Sequence, residues 1–503
     1  MNLKPSIILS LILLIFAGQA AVFPQNRSGV SQSAVVFPRL EPDPKALDYY
    51  RQGRSGYTWE QLAEIALWAS GDTSTVNLER IRTAVSNLNN SNDLPSAARE
   101  KADYILTFLH RNILRTYSIY QTRIDSALAT GVYNCVSSAV LYIILCEASG
   151  IRTSGVITRE HALVIVHIDG EEIDVETTNR FGFDPGNRRE FHDQFGRLTG
   201  FSYVPAQNYR DRQTISRIEL VSLIMNNRIA DYERRNNYAL AVPIAIDRAA
   251  LLFGDSLAVT AQAYNTEFLF SDPRKDLMDR LINYGTTLLR ANREEESIRW
   301  AAAAFSRYPD NNRWQEYMLA AVNNRITRFI RERQPVNARN FLETNRSFLT
   351  DASYAQLDIV VTDAILLNRS NQSVTVDEGN VIINDILNER ENGKITERRA
   401  SELITYVIQR TAASLCAPPA RDWRAAIRYM ESALSSYGAN RELEQALRTY
   451  RNNLAAEYHN RFAAEWNRRN YDEAERILNE GLAEFPDNRQ LLTNRETVNR
   501  RNN

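Results

Sequence analysis

From Ile215 to the end of the chain, apolar residues recur at three- and four-residue spacing and do not settle into the alternation of strands. A helical stretch of that length cannot be wound around one core. Each helix presents a single apolar stripe, and the stripes are buried by stacking helix pair on helix pair. The segments NYALAVPIAIDRAALLFG (237–254), REEESIRWAAAAFSRYPDN (293–311), DWRAAIRYMESALSSYG (422–438) and NYDEAERILNEGLAEFPDN (470–488) share one theme. An aromatic or polar residue stands three positions before a small one, apolar and small positions follow, and a turn often closes the unit. Their spacing is irregular, so the pattern predicts a degenerate solenoid of helical hairpins over residues 215–500.

The preceding part reads differently, and at 503 residues the chain is long enough for two or more domains. Its start, MNLKPSIILSLILLIFAGQAAVFPQ, carries Lys4, an apolar run from Ile7 to Phe16 and small residues suited to cleavage near Ala20 or Ala21. This predicts a signal peptide over 1–21, an exported protein that is periplasmic or extracellular, and no membrane span in the mature chain. Residues 22–45 mix Pro, Ser, Gln and charge and read as a linker. Thr58 to Gln61 has capping-box spacing ahead of an amphipathic run, and further helices are expected from Pro95 to about Leu114 and from Cys135 to Ala148, with Gly150 as a stop. Strands then follow at 155–158, 161–168 and 171–178, the last two joined by Asp169-Gly170, a short-range hairpin signal. Helices followed by strands make an α+β domain over 46–210, with a division from the array near 205–215.

The means of doing chemistry are few: five histidines (110, 161, 167, 192, 459) and three cysteines (135, 146, 416). On one helix, Cys135 and Cys146 would be about 16 Å apart along the axis, beyond disulfide reach. Cys146, between Ile-Ile-Leu and Glu-Ala-Ser-Gly, reads as a small buried hydrophobe. Cys135 opens its helix, where unpaired N–H groups favour a thiolate and the backbone N–H of Cys135 can serve an oxyanion. The sequence assigns no second donor; Tyr133 and Asn134 are the neighbours considered. With a two-residue turn, Ile168 pairs with Glu171, Leu163 falls opposite Glu176 and His161 opposite Thr178, so that His161 and Glu176 are diagonal neighbours. Asp174, opposite Ile165, is the alternative acid. Singly these are a buried thiol, a hairpin histidine and a strand carboxylate. Their order and shared face point to a nucleophile, its base and an orienting acid.

The block GVYNCVSSAVLYIILCEASGI with the later HALVIV and VETT resembles the core of the transglutaminase-like superfamily over roughly residues 95–205. There, a cysteine at a helix start precedes a histidine and an acid on adjacent strands in a papain-like fold. The resemblance implies Cys135 as nucleophile, His161 as general base and then acid, and Glu176 as the residue orienting the imidazole. The family's acid is usually aspartate before Pro-Thr, where this chain has Glu176-Thr177-Thr178. Peptidase, amidase or transamidase activity is implied without a choice among them. Residues 470–488 are similar to the second helix of a tetratricopeptide repeat, with Tyr471, Ala474, Leu478, Gly481 and Pro486 at matching offsets, although Phe462 stands where a small residue is expected. The expected fold class is an α+β papain/transglutaminase-like domain followed by an all-α, tetratricopeptide-like helical-repeat solenoid.

A formal net charge of -1 gives no general argument for nucleic acid, and no phosphate-binding loop or dinucleotide fingerprint occurs. With no HExxH or paired CxxC motif, His161 and His167 do not make a metal site, so neither metal nor organic cofactor is expected. The expected partners are a peptide or protein substrate at the thiol and proteins along the repeats. A non-catalytic scaffold that binds a peptide or an envelope component in the same cleft is the competing reading; a covalent acyl adduct on Cys135 separates the two.

Overall fold

The chain up to the sheet is built mainly from short helices. In a computed structural model, the structure describes residues 36–158, 161–187, 191, 212–257, 272–309, 313–372, 375–418, 421–438 and 440–502. Helix α1 (Pro44–Gln52) starts at Asp43, whose carboxylate accepts the Lys45 N–H. Helix α2 (Trp59–Ser70) has the expected Thr58/Gln61 capping box and ends at Gly71. Helices α3 (Thr75–Asn89) and α4 (Ala98–Asn112) follow, then strand β1 (Thr116–Tyr117), helix α5 (Ile124–Thr130) and strand β2 (Val132–Tyr133). β1 and β2 form a short parallel pair with Tyr117 opposite Tyr133.

Helix α6 (Cys135–Ala148) is buried all the way round from Val136 to Cys146. It can be, because α2, α4, α7 (Arg217–Arg234) and strands β3 (Arg152–Ile157) and β4 (Ala162–Ile168) all pack on it. With β5 (Glu171–Val175) and β6 (Gln213–Ile215), those strands form one antiparallel sheet ordered β5-β4-β3-β6. Asp169 and Gly170 both adopt positive φ, 52° and 88°, as a two-residue hairpin turn requires, and the ladder runs from Ile168↔Glu171 to Val164↔Val175.

The expected α+β papain/transglutaminase-like fold class is corrected by this architecture. Nineteen helices stand among the described residues against one four-stranded sheet and one two-residue strand pair, so the chain is mostly helical and has no substantial α+β papain-like core. The second expected strand lies within a residue of its place, but the first runs over Arg152–Ile157 rather than 155–158 and the third stops at Val175 rather than 178; the sheet's longest strand has seven residues. Much of the first core is instead helical, from Leu62, Ile65, Ile105, Leu109 and Ile144 to Leu220 and Ile224. Local periodicity finds a strand but does not weigh how much of a core it supplies.

Past the sheet, α7 is followed by α8 (Tyr238–Phe253), α9 (Pro273–Arg290) and ten further helices from Glu294 to Asn502. Successive helices pack on each other and alternate ones touch again, as 351–370 does on 397–415 and 441–467 on 489–502. A second core joins residues from Leu366 to Val498. Pro38–Asn503 forms one compact unit. The signal peptide over 1–21, most of the 22–45 linker and His192 lie outside the described residues. No helix among the described residues is long and apolar enough to cross a membrane.

Candidate active site

The chain enters α6 through a double constraint. Helix α5 stops at Gly131, whose φ of 75° turns the chain into β2, and Asn134 then caps α6. The Asn134 side-chain oxygen accepts the Ser137 N–H at 3.0 Å and the Ser137 hydroxyl accepts the Asn134 N–H at 2.9 Å. Cys135 is thereby fixed as the first helical residue, partly exposed, and all three cysteines are free. Cys146 is fully buried, and burial pushes its thiol up; burial and then Asp422 push Cys416 up to about 11.

His161 and Glu176 stand just beyond the paired ends of β4 and β5. The His161 Nε2 lies 2.6 Å from the Glu176 Oε2, with both side chains buried. The other carboxylate oxygen, Oε1, accepts the Thr178 N–H at 3.1 Å and the Thr178 hydroxyl at 2.7 Å. Burial works against charge on His161, but the Glu176 carboxylate and a hydrogen bond with Cys135 outweigh it and hold the imidazole well above its ordinary value. With Nε2 committed to Glu176, Nδ1 is the nitrogen left for the thiol. Asp174, opposite Ile165 in the ladder, is not brought to His161; it pairs with Arg212 at 2.8 Å.

The segment carrying Glu176 is gripped from three other elements. His110 of α4 approaches the Thr177 carbonyl with Nε2 at 3.0 Å, Ser138 of α6 and Thr177 join hydroxyls at 2.8 Å, and the Tyr133 hydroxyl donates to the Thr178 carbonyl at 2.9 Å. Burial pushes His110 down to about 4, so near neutral pH it is uncharged and donates its Nε2–H to that carbonyl. The turn after it closes with the Glu176 N–H on the Gly182 carbonyl at 2.7 Å. A Cβ at Gly182 would fall 1.9 Å from the Glu176 carbonyl oxygen, so no other residue fits without moving the loop. Sequence reasoning did not identify these positioning groups. Only Ser138, one turn after Cys135, carried a local signal.

Of the two neighbours considered as oxyanion donors, Tyr133 gives its hydroxyl proton to the Thr178 carbonyl, and Asn134 gives one Nδ2–H to the Ile119 carbonyl while its Oδ1 accepts the Ser137 N–H. Tyr117, opposite Tyr133 in the strand pair, instead has a buried hydroxyl without a hydrogen-bond partner among the described residues. Burial, then charge on Cys135 and on Glu176, raises that phenol above its ordinary value. It therefore stays protonated, a donor with nothing to donate to.

Cys135 and His161 open together into a cavity of about 900 Å³, which Arg228, Arg248 and Arg280 also line. Among the described residues no group of three or more His, Cys, Asp or Glu could hold a metal ion. His167 is engaged by Ser154 at 2.8 Å. No family model matches this chain, and no curated protein matches it.

Proposed function

We propose that the protein is an exported, thiol-dependent acyl-transfer enzyme with a site of transglutaminase-like type, acting on an amide of a peptide or protein. The observation that carries this is the buried His161–Glu176 contact of 2.6 Å in the same cavity as Cys135, the first residue of helix α6. Perturbed titratable groups cluster at functional sites, and a thiol at a helix N-terminus beside an imidazole is favoured as a nucleophile.

Cys135, as the thiolate of an ion pair with protonated His161, attacks the amide carbonyl. The tetrahedral oxyanion receives the Cys135 backbone N–H and the Tyr117 hydroxyl, which would satisfy an otherwise orphaned group. His161 passes its proton to the departing amine, the C–N bond breaks, and a thioester remains on Cys135. Water or a second amine then attacks the thioester with His161 as base, returning the thiol and completing hydrolysis or transamidation. Glu176 keeps the ring oriented and balances the imidazolium. The helical array beyond α9 would hold protein partners.

Incubation with a panel of acyl-donor peptides followed by intact-mass measurement tests the reading. A covalent acyl adduct is expected on the native protein and absent from Cys135→Ala. A folded protein that forms no adduct and turns over none of the panel would favour the binding scaffold.

A further inference from the structure

We infer that the acyl donor is anionic, a peptide or amide whose carboxylate is received by an arginine wall centred on Arg228 and Arg248, in the cavity that Cys135 also lines. This rests on the reading of Cys135 as the reacting thiol and adds the class of substrate.

The cavity holding Cys135 and His161 is lined by six arginines: Arg123, Arg228, Arg234, Arg235, Arg248 and Arg280. Most are partly neutralised. Arg123 pairs with Asp125 at 2.6 Å, Arg234 and Arg235 share Asp231 at 3.4 and 2.9 Å, and Arg248 and Arg280 share Asp276 at 3.1 and 3.5 Å. Arg280 also reaches Glu233 at 3.3 Å. Among the described residues these six guanidinium groups form ion pairs with four carboxylates, Asp125, Asp231, Asp276 and Glu233, while Asp72 and Asp272 act on Arg123 and Arg248 from beyond ion-pair contact.

Arg228 has no carboxylate in ion-pair contact among the described residues; it donates to the Ala69 carbonyl at 2.6 Å and bonds the Tyr232 side chain. Arg248 is buried, shares its one carboxylate, and leaves its Nε–H without a hydrogen-bond partner among the described residues. Burial works against the charge on both, and an arginine does not shed its proton in compensation. A half-buried guanidinium without an ion pair, beside a buried one that shares its carboxylate, leaves the cavity wall short of negative charge that an anion would supply. A carboxylate suits the guanidinium fork, which binds two oxygens side by side. The wall belongs to α7, α8 and α9, so the array supplies half of the site rather than a remote docking surface.

Iodoacetate and iodoacetamide are nearly the same size and differ by one charge, so their rate ratio at Cys135 reads the potential at the thiol. We expect this ratio, measured by site-resolved mass spectrometry, to exceed that of Cys135 in the urea-unfolded chain by about threefold or more, and to shrink as salt is raised. Arg228→Gln should lower the iodoacetate rate more than the iodoacetamide rate, and Arg228→Lys should keep part of the preference. A folded-state ratio at or below the unfolded one overturns the inference whether or not any variant folds. If neither reagent labels Cys135 in the folded protein, the thiol reading fails, and calorimetry on Cys135→Ser decides the anion site. Its probes are hexapeptides carrying Glu or Gln at the same two positions, each with a free or amidated C-terminus. Tighter binding of the Glu peptides, or of the free acids, supports the site and says which carboxylate it takes; equal binding by all four overturns it.

Discussion

At Tyr117 the demands of stability and of chemistry point in opposite directions. A buried hydroxyl without a partner costs roughly 1–3 kcal/mol, so Tyr117→Phe is expected to leave the protein as stable or more so in urea titrations. Acyl-enzyme formation should nonetheless slow by about 100-fold, the usual loss on removing one oxyanion donor. A variant that loses stability and acylates normally would remove the hydroxyl from the mechanism. The thiols themselves order by surroundings. Cys135 is expected to alkylate with iodoacetamide faster than Cys416, whose thiol is pushed up to about 11, and Cys146, which is sealed in α6. His161→Ala should slow Cys135 by about tenfold or more through loss of the imidazolium. Glu176→Gln should slow it less, and Asp174→Asn, on the Arg212 side of the strand, least of all. The two histidines beside Glu176 and Thr177 have opposite pH signatures. His161 is raised on folding, so its contribution to stability is full below the unfolded value of about 6.5 and is lost as pH rises through the folded value. His110 is depressed to about 4, so its contribution is present above about 6.5 and is lost as pH falls toward about 4. That loss is of order 3 kcal/mol. Urea titrations across this range should show a flatter acid limb for His110→Gln, which keeps a donor for Thr177 without titrating.

Among the elements, the hairpin was the most legible. Asp169-Gly170 admits one turn geometry, and fixing the turn fixes every pair outward to Val164↔Val175. Carried one residue beyond the last pair, the same count puts Glu176 nearer to His161 than Asp174, which lies opposite Ile165. Helix α6 was equally plain, since its apolar run and Gly150 bound it and Asn134 caps it. The supports of Glu176 were not legible, because His110, Tyr133 and Ser138 reach Thr177 and Thr178 across 67, 45 and 39 residues of sequence. No local pattern encodes such a pairing. The loop from Glu176 to Gly182 is the weakest link in the chain of support, and Gly182→Ala is the expected way to break it. With a Cβ directed at the Glu176 carbonyl, the loop must shift, and a destabilisation of about 2 kcal/mol or more is expected. The Cys135 alkylation rate should fall toward that of Glu176→Gln. Full stability together with an unchanged rate would show that the loop accommodates the methyl group and that Glu176 is held mainly by Thr178.

For the whole molecule, the consequential helix is α7, which lies past the point where strand alternation ends and yet packs on α2, α6 and β3 as well as on α8. It buries Leu220, Val221, Ile224 and Met225 in the first core and turns Arg228 toward the cavity. Its sequence reads as the first helix of the array, and only packing reveals that it is also a wall of the sheet region. Four buried apolar side chains contribute about 6–12 kcal/mol at roughly 1.5–3 kcal/mol each. The total stability of a typical domain is about 5–15 kcal/mol. A fragment of residues 38–211 is therefore expected to lack cooperative unfolding by circular dichroism and to label Cys135 and Cys146 alike, because α6 loses one of its covers. Extending the fragment to residue 257 restores α7 and α8, and with them the slow labelling of Cys146 and a cooperative transition. Cooperative folding of 38–211 with Cys146 protected would make the sheet region self-sufficient and α7 an attachment to it. The arginine wall would then be a surface brought up to a finished site, and removing the array would leave iodoacetamide labelling of Cys135 intact while abolishing its preference for iodoacetate.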